Sequence, residues 1–183
     1  AIVGGRIVPS FTRNWLAKAG STRLPAPADR FDLTSIVVLG LACASWVVLD
    51  ETVVTATLAF IASALQGARL LRWRGWTTVD EPLLLILHVG YAFVPIGIAC
   101  VGLAALGIVS APSALHVLTV GAIGIITFAV MTRASLGHTG RALTASPIVS
   151  LAYLALVLAA TIRPFAELLP SHYHLLLEIA GGA

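Results

Sequence analysis

The residues of this chain best suited to bind a metal ion are its histidines. His88 lies in the segment ILHVGY, His116 in ALHVLT and His138 in LGHTGR, each inside or beside a long apolar stretch. His172 and His174 follow a proline in the segment PSHYH. Neutral imidazole is a common metal ligand, and haem iron is held by an axial histidine or by histidine and methionine. The first three histidines together therefore indicate a metal site.

Each histidine also has a purely structural interpretation. A lone histidine inside a membrane bundle often forms only a hydrogen bond between helices, and the pair in PSHYH is typical of a solvated interfacial turn. Both interpretations stay open from the residues alone. The chain has no Walker, HExxH or GxSxG motif, so it shows none of these nucleotide-binding, metalloprotease or hydrolase signatures.

Composition predicts a polytopic membrane protein. Hydrophobic residues make up 58% of the 183-residue chain and charged residues only 10%, and the mean hydropathy is +0.98. A soluble domain of this size would need more charge on its surface. The apolar runs are long and lack the two-residue alternation of barrel strands, so the predicted fold class is all-α, a transmembrane helix bundle. Cys43 and Cys100 lie in apolar runs and are interpreted as packing residues.

Five stretches are long enough to cross a hydrocarbon core of roughly 30 Å as helices. Their predicted bounds are 32–49, 52–71, 82–107, 113–132 and 147–166. Partial helices are expected at both ends: 1–17 as the tail of a preceding span, then a cytoplasmic loop at 18–31, and 167–183 as a loop with the start of a further span near 172. The chain is thus interpreted as a single transmembrane domain, 1–183, from the C-terminal portion of a longer protein.

The Lys and Arg residues predict the orientation of the spans. All of them except Arg163 fall in the connecting regions 1–30, 69–80 and 133–145, which share one side of the membrane if the spans alternate. The positive-inside rule places that side in the cytoplasm. Because topology accounts for these basic residues, the net charge of +3 does not indicate a nucleic-acid partner.

Helix geometry separates His88 from His116 in depth. At 1.5 Å per residue, His88 is about 9 Å in from the cytoplasmic edge and His116 about 5 Å in from the far edge. In a core of roughly 30 Å the two differ in depth by about 16 Å, so they are not expected to bind the same metal atom. His138 is predicted on the cytoplasmic side, close to the level of His88.

The span that contains His116 carries a soft and polar stripe. Its members recur at helical spacing and are expected to face the bundle interior: His116, Thr119, Ile123, Thr127 and Met131. Beside this stripe, Gly121 and Gly124 are expected to let another helix approach closely.

Two further local features bear on the histidines. His88 and Tyr91 share a face of their span, and Pro95 leaves the Tyr91 carbonyl without its helical hydrogen bond, free for a ligand or a side chain. After the next span, Gly137 and Gly140 predict a tight turn that directs His138 back toward the bundle.

Three motifs resemble the NnrS family, which comprises bacterial multi-span membrane proteins associated with the nitric oxide response. They stand in order along the chain: GGRIVPSFTRNW at 4–15, RWRGWTTVDEPLLLILHVGYAFVPIG at 72–97 and ALHVLTVGAIGIITFAVMTRASLGHTGR at 114–141. The resemblance implies a location in the bacterial inner membrane. It also implies that the N-terminal half of the family, with further spans and histidines, is the remaining part of the same protein and the partner of this chain.

The resemblance further implies that the protein binds haem and copper and protects cells against nitrosative stress. Carried over by motif, the candidate metal ligands are His88, His116 and His138. If haem binds near the cytoplasmic face, His88 is the expected axial ligand and His138 or Met131 the second, with Tyr91 in the same site and His116 in a separate site, such as a copper site. Four arginines of these motifs are expected to pair with haem propionates through their bidentate guanidinium groups: Arg6, Arg13, Arg133 and Arg141.

The sequence supports three interpretations of function. The first is a haem- and metal-binding membrane protein that handles nitric oxide or nitrosyl-iron species by reduction, scavenging or sensing. The second is a transporter or metal-export protein with a histidine-lined path, since spans interrupted by glycine and proline are also typical of transporters. The third is a structural membrane subunit whose histidines form hydrogen bonds. No complete proton or electron pathway is recognisable, so no reaction is assigned.

Overall fold

A computed structural model describes residues 1–168, 174–176 and 178 of the chain. Over these residues the protein is helical and contains no strand, which confirms the predicted fold class. The helices are α1 (Gly4–Lys18), α2 (Arg30–Leu49), α3 (Val53–Leu71), α4 (Pro82–Ala105), α5 (Ala111–His116), α6 (Ile125–His138) and α7 (Pro147–Leu168). A 3₁₀ turn, Gly75–Thr78, precedes α4, and a π-helical segment, Val117–Gly124, joins α5 to α6 without a break.

Four helices are long and apolar enough to cross a membrane. They are Arg30–Leu49, Val53–Leu71, Pro82–Ala105 and the continuous helix Ala111–His138. The fifth predicted span falls in α7, of which the described residues Pro147–Ile162 form a shorter apolar helix. The further span predicted near 172 and the side chain of Arg163 lie outside the described residues. By length and composition, four of the five predicted spans are thus confirmed.

Polar residues at the first turns fix where the helices begin. The side chains of Asp29, Thr52, Glu81 and Ser110 each accept a hydrogen bond from a backbone N–H at the start of the following helix. These N–H groups have no partner inside the helix, so a capping side chain stabilises the end. Pro82 occupies the first position of α4, where its missing N–H costs nothing. The boundaries therefore follow from local sequence.

Helix α4 is the centre of the bundle. It packs against α1, α3, the π-helical segment and α6, and most of its residues are buried. Leu83, Leu84, Leu87 and Tyr91 are fully inaccessible to solvent. A helix that is apolar on all sides suits either a protein core or a membrane, and α4 has other helices on most of its faces. His88 belongs to the same helix and is carried into the interior with it.

The π-helical segment overturns the predicted stripe. A π turn has wider hydrogen-bond spacing than an α turn and shifts every following side chain around the axis. His116, the first residue of the stripe, is half-buried. The other four residues of the stripe are exposed: Thr119, Ile123, Thr127 and Met131. The interior face instead carries small and branched residues, among them Val117, Gly121, Ala122, Ile125 and Ala129.

Only one of the two glycines expected beside that stripe allows a close helix approach. A Cβ on Gly121 would lie 2.5 Å from Cγ of Phe93 on α4, so this position must lack a side chain. A Cβ on Gly124 would meet only a backbone oxygen of its own segment, Thr119 O at 3.4 Å. The prediction is confirmed for Gly121 and wrong for Gly124.

The connection after α6 starts later than predicted. Residues 133–138 continue the helix to His138, so they are not part of a loop, and Gly137 is helical. Gly140 has φ +66°, which L-residues with a side chain rarely adopt, and the chain turns there. The predicted tight turn is thus confirmed at Gly140 and wrong at Gly137.

Candidate metal-ligand site at His88

His88 is a buried histidine whose tautomer is fixed by one neighbour. Its side chain is on α4, with a residue exposure of 6%. Its Nε2 lies 2.8 Å from Oγ1 of Thr12 on α1. We assign the single hydroxyl proton of Thr12 to the carbonyl of Val8, at 2.9 Å, so that toward His88 the hydroxyl accepts. Nε2 of His88 therefore carries the proton, and Nδ1 presents an unprotonated lone pair.

The Nδ1 atom of His88 has no hydrogen-bond partner among the described residues, although it is buried. Beside it runs the backbone of Gly75, where a Cβ would lie 2.6 Å from Nδ1. Buried nitrogen acceptors without partners are rare and call for an explanation. The same Cβ would lie 2.7 Å from Cγ of the ring, so the backbone of Gly75 packs over the face of the imidazole and needs a residue without a side chain.

The turn that carries Gly75 is held by its own side chains. Oγ1 of Thr77 donates to the Arg74 carbonyl and Oγ1 of Thr78 to the Gly75 carbonyl, both at 2.8 Å. Arg74 itself has φ +58°, an uncommon conformation for a residue with a side chain. Backbone strain of this kind persists where the surroundings impose it. The strained turn fixes the glycine against the histidine.

An apolar groove of about 260 Å³ opens beside His88. Its lining consists of His88 with residues of α3, the 3₁₀ turn and α4: Leu70, Leu71, Gly75, Trp76, Leu85, Val89 and Ala92. The groove is lined almost wholly by carbon. It therefore offers an apolar surface with His88 among its lining residues.

A second buried assembly lies beside this groove and was not predicted from the sequence. We call it the buried polar network: Asp32, Gln66, Arg69 and Tyr91. Nε of Arg69 donates to Oδ1 of Asp32 at 2.5 Å, and Nη1 of Arg69 donates to the Tyr91 hydroxyl at 3.0 Å. Tyr91 donates in turn to Oε1 of Gln66 at 2.7 Å. The network joins α2, α3 and α4 inside the bundle.

This network corrects two expectations. Arg69 was counted among the basic residues of a loop, but it lies within α3 and is 3% exposed. Its partner Asp32 is the carboxylate that balances its charge inside the bundle. Tyr91 was expected in the cofactor site, but its hydroxyl donates to Gln66 and accepts from Arg69. Tyr91 is therefore committed to the network in this structure.

His116 lies in a different environment from His88. It is half-buried at the end of α5, and its Nε2 is 3.0 Å from the carbonyl oxygen of Ala159 on α7. A carbonyl only accepts, so Nε2 of His116 donates and its Nδ1 is unprotonated. His88 contacts α1 and His116 contacts α7, so the two histidines have no common partner, as their separate predicted depths suggested.

The remaining predicted ligands lie away from the groove at His88. His138 and Met131 are both exposed on α6. His174 is exposed, and His172 lies outside the described residues. Among the described part of the chain, no group of three or more His, Cys, Asp or Glu side chains is placed to hold a metal ion.

The predicted arginines are divided between two other places. Arg6 and Arg13 line a groove of about 490 Å³ between α1 and the linker at 25–28. Arg133 lines a groove between α1 and α6, where its guanidinium carbon lies 4.6 Å above the ring of Phe11. Arg141 is exposed after α6. None of the four lines the groove beside His88.

Sequence reasoning missed Thr12, Gly75 and the Asp32–Arg69 pair. Thr12 is a small polar residue on a helix of mixed composition, and Gly75 stands in an ordinary-looking turn, so only the fold reveals their contacts with His88. The ion pair had a signal: an acidic residue near the start of one predicted span and a basic residue near the end of the next. In an apolar bundle such residues are usually paired.

The comparisons with known proteins agree with the fold and with the motifs around His88. A family model described as NnrS protein matches residues 1–183. No match was found among curated proteins or among solved structures. With its four apolar helices, this is a multi-pass membrane protein, and it belongs to the NnrS family, a family of the nitric oxide response.

Proposed function

We propose that the protein binds haem through Nδ1 of His88 and acts through it in the response to nitric oxide. The observation that carries this proposal is the buried, unprotonated and partnerless Nδ1 beside Gly75. A metal-ligating histidine commonly donates from its other ring nitrogen to a fixed acceptor, which sets the tautomer. Thr12 occupies that position for His88.

A single histidine favours haem over an ion held by protein ligands alone. Structural and catalytic zinc or copper sites need about three or four protein donors, and the described residues contain no such group. Haem supplies its own ring nitrogens and needs only axial ligands from the protein. The donor set around His88 therefore fits haem.

The groove beside His88 also suits part of a haem. Its walls are apolar, as the face of a porphyrin requires, and His88 is one of its lining residues. Its volume of about 260 Å³ is smaller than the roughly 300–1,000 Å³ of typical small-molecule pockets. It would therefore receive only part of the macrocycle.

The residues of the chain have separate roles in this proposal. Bound haem iron supplies a coordination position at which nitric oxide can bind. His88 would offer the lone pair, Thr12 would hold the imidazole in the required tautomer, and Gly75 lets the backbone of the turn pack against the ring. The surrounding leucine, valine and tryptophan side chains exclude water from that face.

His116 is proposed as a ligand of a separate metal such as copper. In the neutral imidazole its Nδ1 carries the lone pair, because Nε2 donates to Ala159. The described residues hold no group of three or more ligands, so the other ligands of such a site would have to come from outside them. His138, Met131, Tyr91 and the four arginines are left out of the haem proposal because the structure places none of them in the groove at His88.

The test compares His88→Ala with the matched variant His116→Ala. Each variant is purified in detergent, loaded with haem, and examined by absorption spectroscopy and metal analysis. We expect the Soret band to be lost in His88→Ala and kept in His116→Ala. Equal loss from both variants, or full retention in His88→Ala, would refute His88 as the axial ligand.

A second pair of variants tests the position of the imidazole without removing the histidine. Gly75→Ala places a methyl group 2.6 Å from Nδ1 and 2.7 Å from Cγ of the ring, so the imidazole must shift, whereas Gly67→Ala adds a methyl group with no atom within 4 Å. We expect Gly75→Ala to lose haem and Gly67→Ala to keep it. Equal haem content in the two would show that ligation does not depend on the position of the imidazole.

A further inference from the structure

We propose that the groove between α1 and α6 binds the headgroup of an anionic phospholipid. The groove has a volume of about 590 Å³ and lies where the C-terminal halves of both helices meet. It shares no lining residue with the groove beside His88. The proposal therefore stands apart from haem binding.

Arg133 is the residue that points to an anion. It is half-buried in the groove wall, with its guanidinium carbon 4.6 Å from the centre of the Phe11 ring. Among the described residues it forms no ion pair and donates no hydrogen bond, and the Glu81 carboxylate acts on it only electrostatically, whereas Arg69 and Arg72 both have carboxylate partners in contact. A guanidinium held in place by stacking keeps its fork of donors available for a phosphate.

The rest of the lining suits the two parts of a phospholipid. Lys18 and Asn14 on α1 add a second positive charge and an amide. Phe11, Val130 and Leu143 provide apolar surface in the same groove. A soluble anion would gain nothing from this apolar wall, while a lipid buries the start of its acyl chains against it. The mixed lining therefore favours a lipid over free phosphate.

The height of the groove agrees with the headgroup level of a bilayer. Arg133 lies about 33 Å along the helix from Ala111, at 1.5 Å per residue. The hydrocarbon core is roughly 30 Å thick, so a helix that enters at Ala111 brings Arg133 just past its far edge. Basic pockets between transmembrane helices at this level are known to bind anionic lipid headgroups.

The experiment measures how many lipid molecules the full chain retains. The protein is placed in nanodiscs of phosphatidylcholine with a small fraction of phosphatidylglycerol, released, and examined by native mass spectrometry. Arg133→Gln and Lys18→Gln each remove one charge from the groove. Arg141→Gln is the matched control, because Arg141 is exposed after the same helix and does not line the groove.

We expect each groove variant to weaken phosphatidylglycerol binding about fivefold, the value of one basic residue near an anionic surface, with a change below about twofold for Arg141→Gln. Lys18 is exposed, so Lys18→Gln reports on binding even if Arg133→Gln disturbs folding. Equal weakening in all three variants would mean diffuse surface attraction and would overturn the site. Displacement of the lipid by millimolar inorganic phosphate would overturn the assignment to a lipid.

Discussion

His88 is held by a contact that its own helix does not provide. The imidazole sits on α4, but the atom that sets its tautomer is the hydroxyl of Thr12 on α1, at 2.8 Å. That hydroxyl is itself oriented by the Val8 carbonyl. A chain of two hydrogen bonds thus determines which nitrogen of His88 is free. This arrangement distinguishes it from a core histidine with both nitrogens satisfied.

The contact predicts a measurable role for Thr12. Thr12→Val keeps the shape but removes the acceptor, leaving the buried Nε2–H of His88 unpaired at a cost of about 1–3 kcal/mol. Thr12→Ser retains the hydroxyl and should cost much less. The measurement is the free energy of unfolding of the haem-free protein in detergent.

Thr57→Val is the control for this prediction. Thr57 makes the same bond to its own helix, to the Val53 carbonyl at 2.8 Å, but it is exposed and contacts no histidine. An equal loss of stability in Thr57→Val and Thr12→Val would show that the bond to His88 contributes nothing.

At the residue level the sequence could identify the histidine but not its environment. His88 stood out because a histidine in an apolar span is uncommon, and the motif around it resembled a known family. Thr12 lies 76 residues before His88 in the sequence, and Gly75 lies in the turn before α4. A threonine in a helix and a glycine in a turn do not by themselves indicate a metal site. Contacts between distant segments depend on how helices pack, which spacing within one helix does not encode.

The sequence predicted the bounds and buried faces of some helices better than those of others. Long apolar runs predicted α2, α3 and α4 closely, because the length of an apolar run is a local property of the sequence. The stripe on the next span was predicted to face the bundle interior, and this prediction was wrong. It assumed an α-helix with 3.6 residues per turn throughout, whereas Val117–Gly124 is π-helical. A local change of helix type rotates every later residue and leaves no clear mark in composition.

The close packing of the π-helical segment predicts a difference between two neighbouring glycines. Gly121→Leu forces a side chain into Phe93 on α4 and should destabilise the protein by about 1–3 kcal/mol or more. Gly124→Leu faces no other helix in the described structure and should be far milder. Thermal unfolding of both variants in the same detergent measures the difference. Similar losses would place the helix contact elsewhere.

The ion pair between α2 and α3 predicts a second effect at the element level. Arg69→Met leaves the carboxylate of Asp32 buried without its main partner, which should cost about 3–5 kcal/mol. Adding Asp32→Asn removes the stranded charge and should recover most of that loss. Denaturant or thermal unfolding of the single and double variants measures both steps.

Arg72→Met provides the control for the buried pair. Arg72 pairs mainly with the half-exposed Asp29, at 2.5 Å, and reaches the buried Asp32 only at 3.6 Å. That hydrogen-bonded contact lowers the pKa of the Asp29 carboxyl well below its usual range. Exposed pairs contribute about 1 kcal/mol or less, so this variant should be mild. A double variant no more stable than Arg69→Met alone would contradict the assigned role of the buried charge.

At the level of the whole molecule, the sequence specified the class of protein and the order of its spans. Long apolar runs and sparse charge suffice for that, because the bilayer imposes a length and a polarity on every crossing helix. The sequence did not specify which helix is central or which polar groups meet inside. The burial of Arg69 in particular contradicts its expected place in a loop, since its charge is balanced by Asp32 on another helix.

The alternation of the four apolar helices predicts which connections share a side of the membrane. Short connections join α2 to α3 and α4 to α5, so successive helices must cross in opposite directions. The connection at 72–81 and the one after His138 therefore lie on one side, and residues 50–52 and 106–110 lie on the other. The excess of Lys and Arg assigns the first side to the cytoplasm.

Cysteine labelling in intact cells tests this topology. In a chain with Cys43→Ala and Cys100→Ala, single cysteines are placed at the exposed positions Asp80, Arg141 and Glu51, and a membrane-impermeant maleimide is added from outside. Only Glu51→Cys should react until the membrane is opened, after which all three should react. Reaction of Asp80→Cys and Arg141→Cys from outside, with Glu51→Cys protected, would show the inverted orientation. Reaction of only one of the first two would mean that the chain between them crosses the membrane an odd number of times, which the pair of helices α4 and Ala111–His138 does not allow.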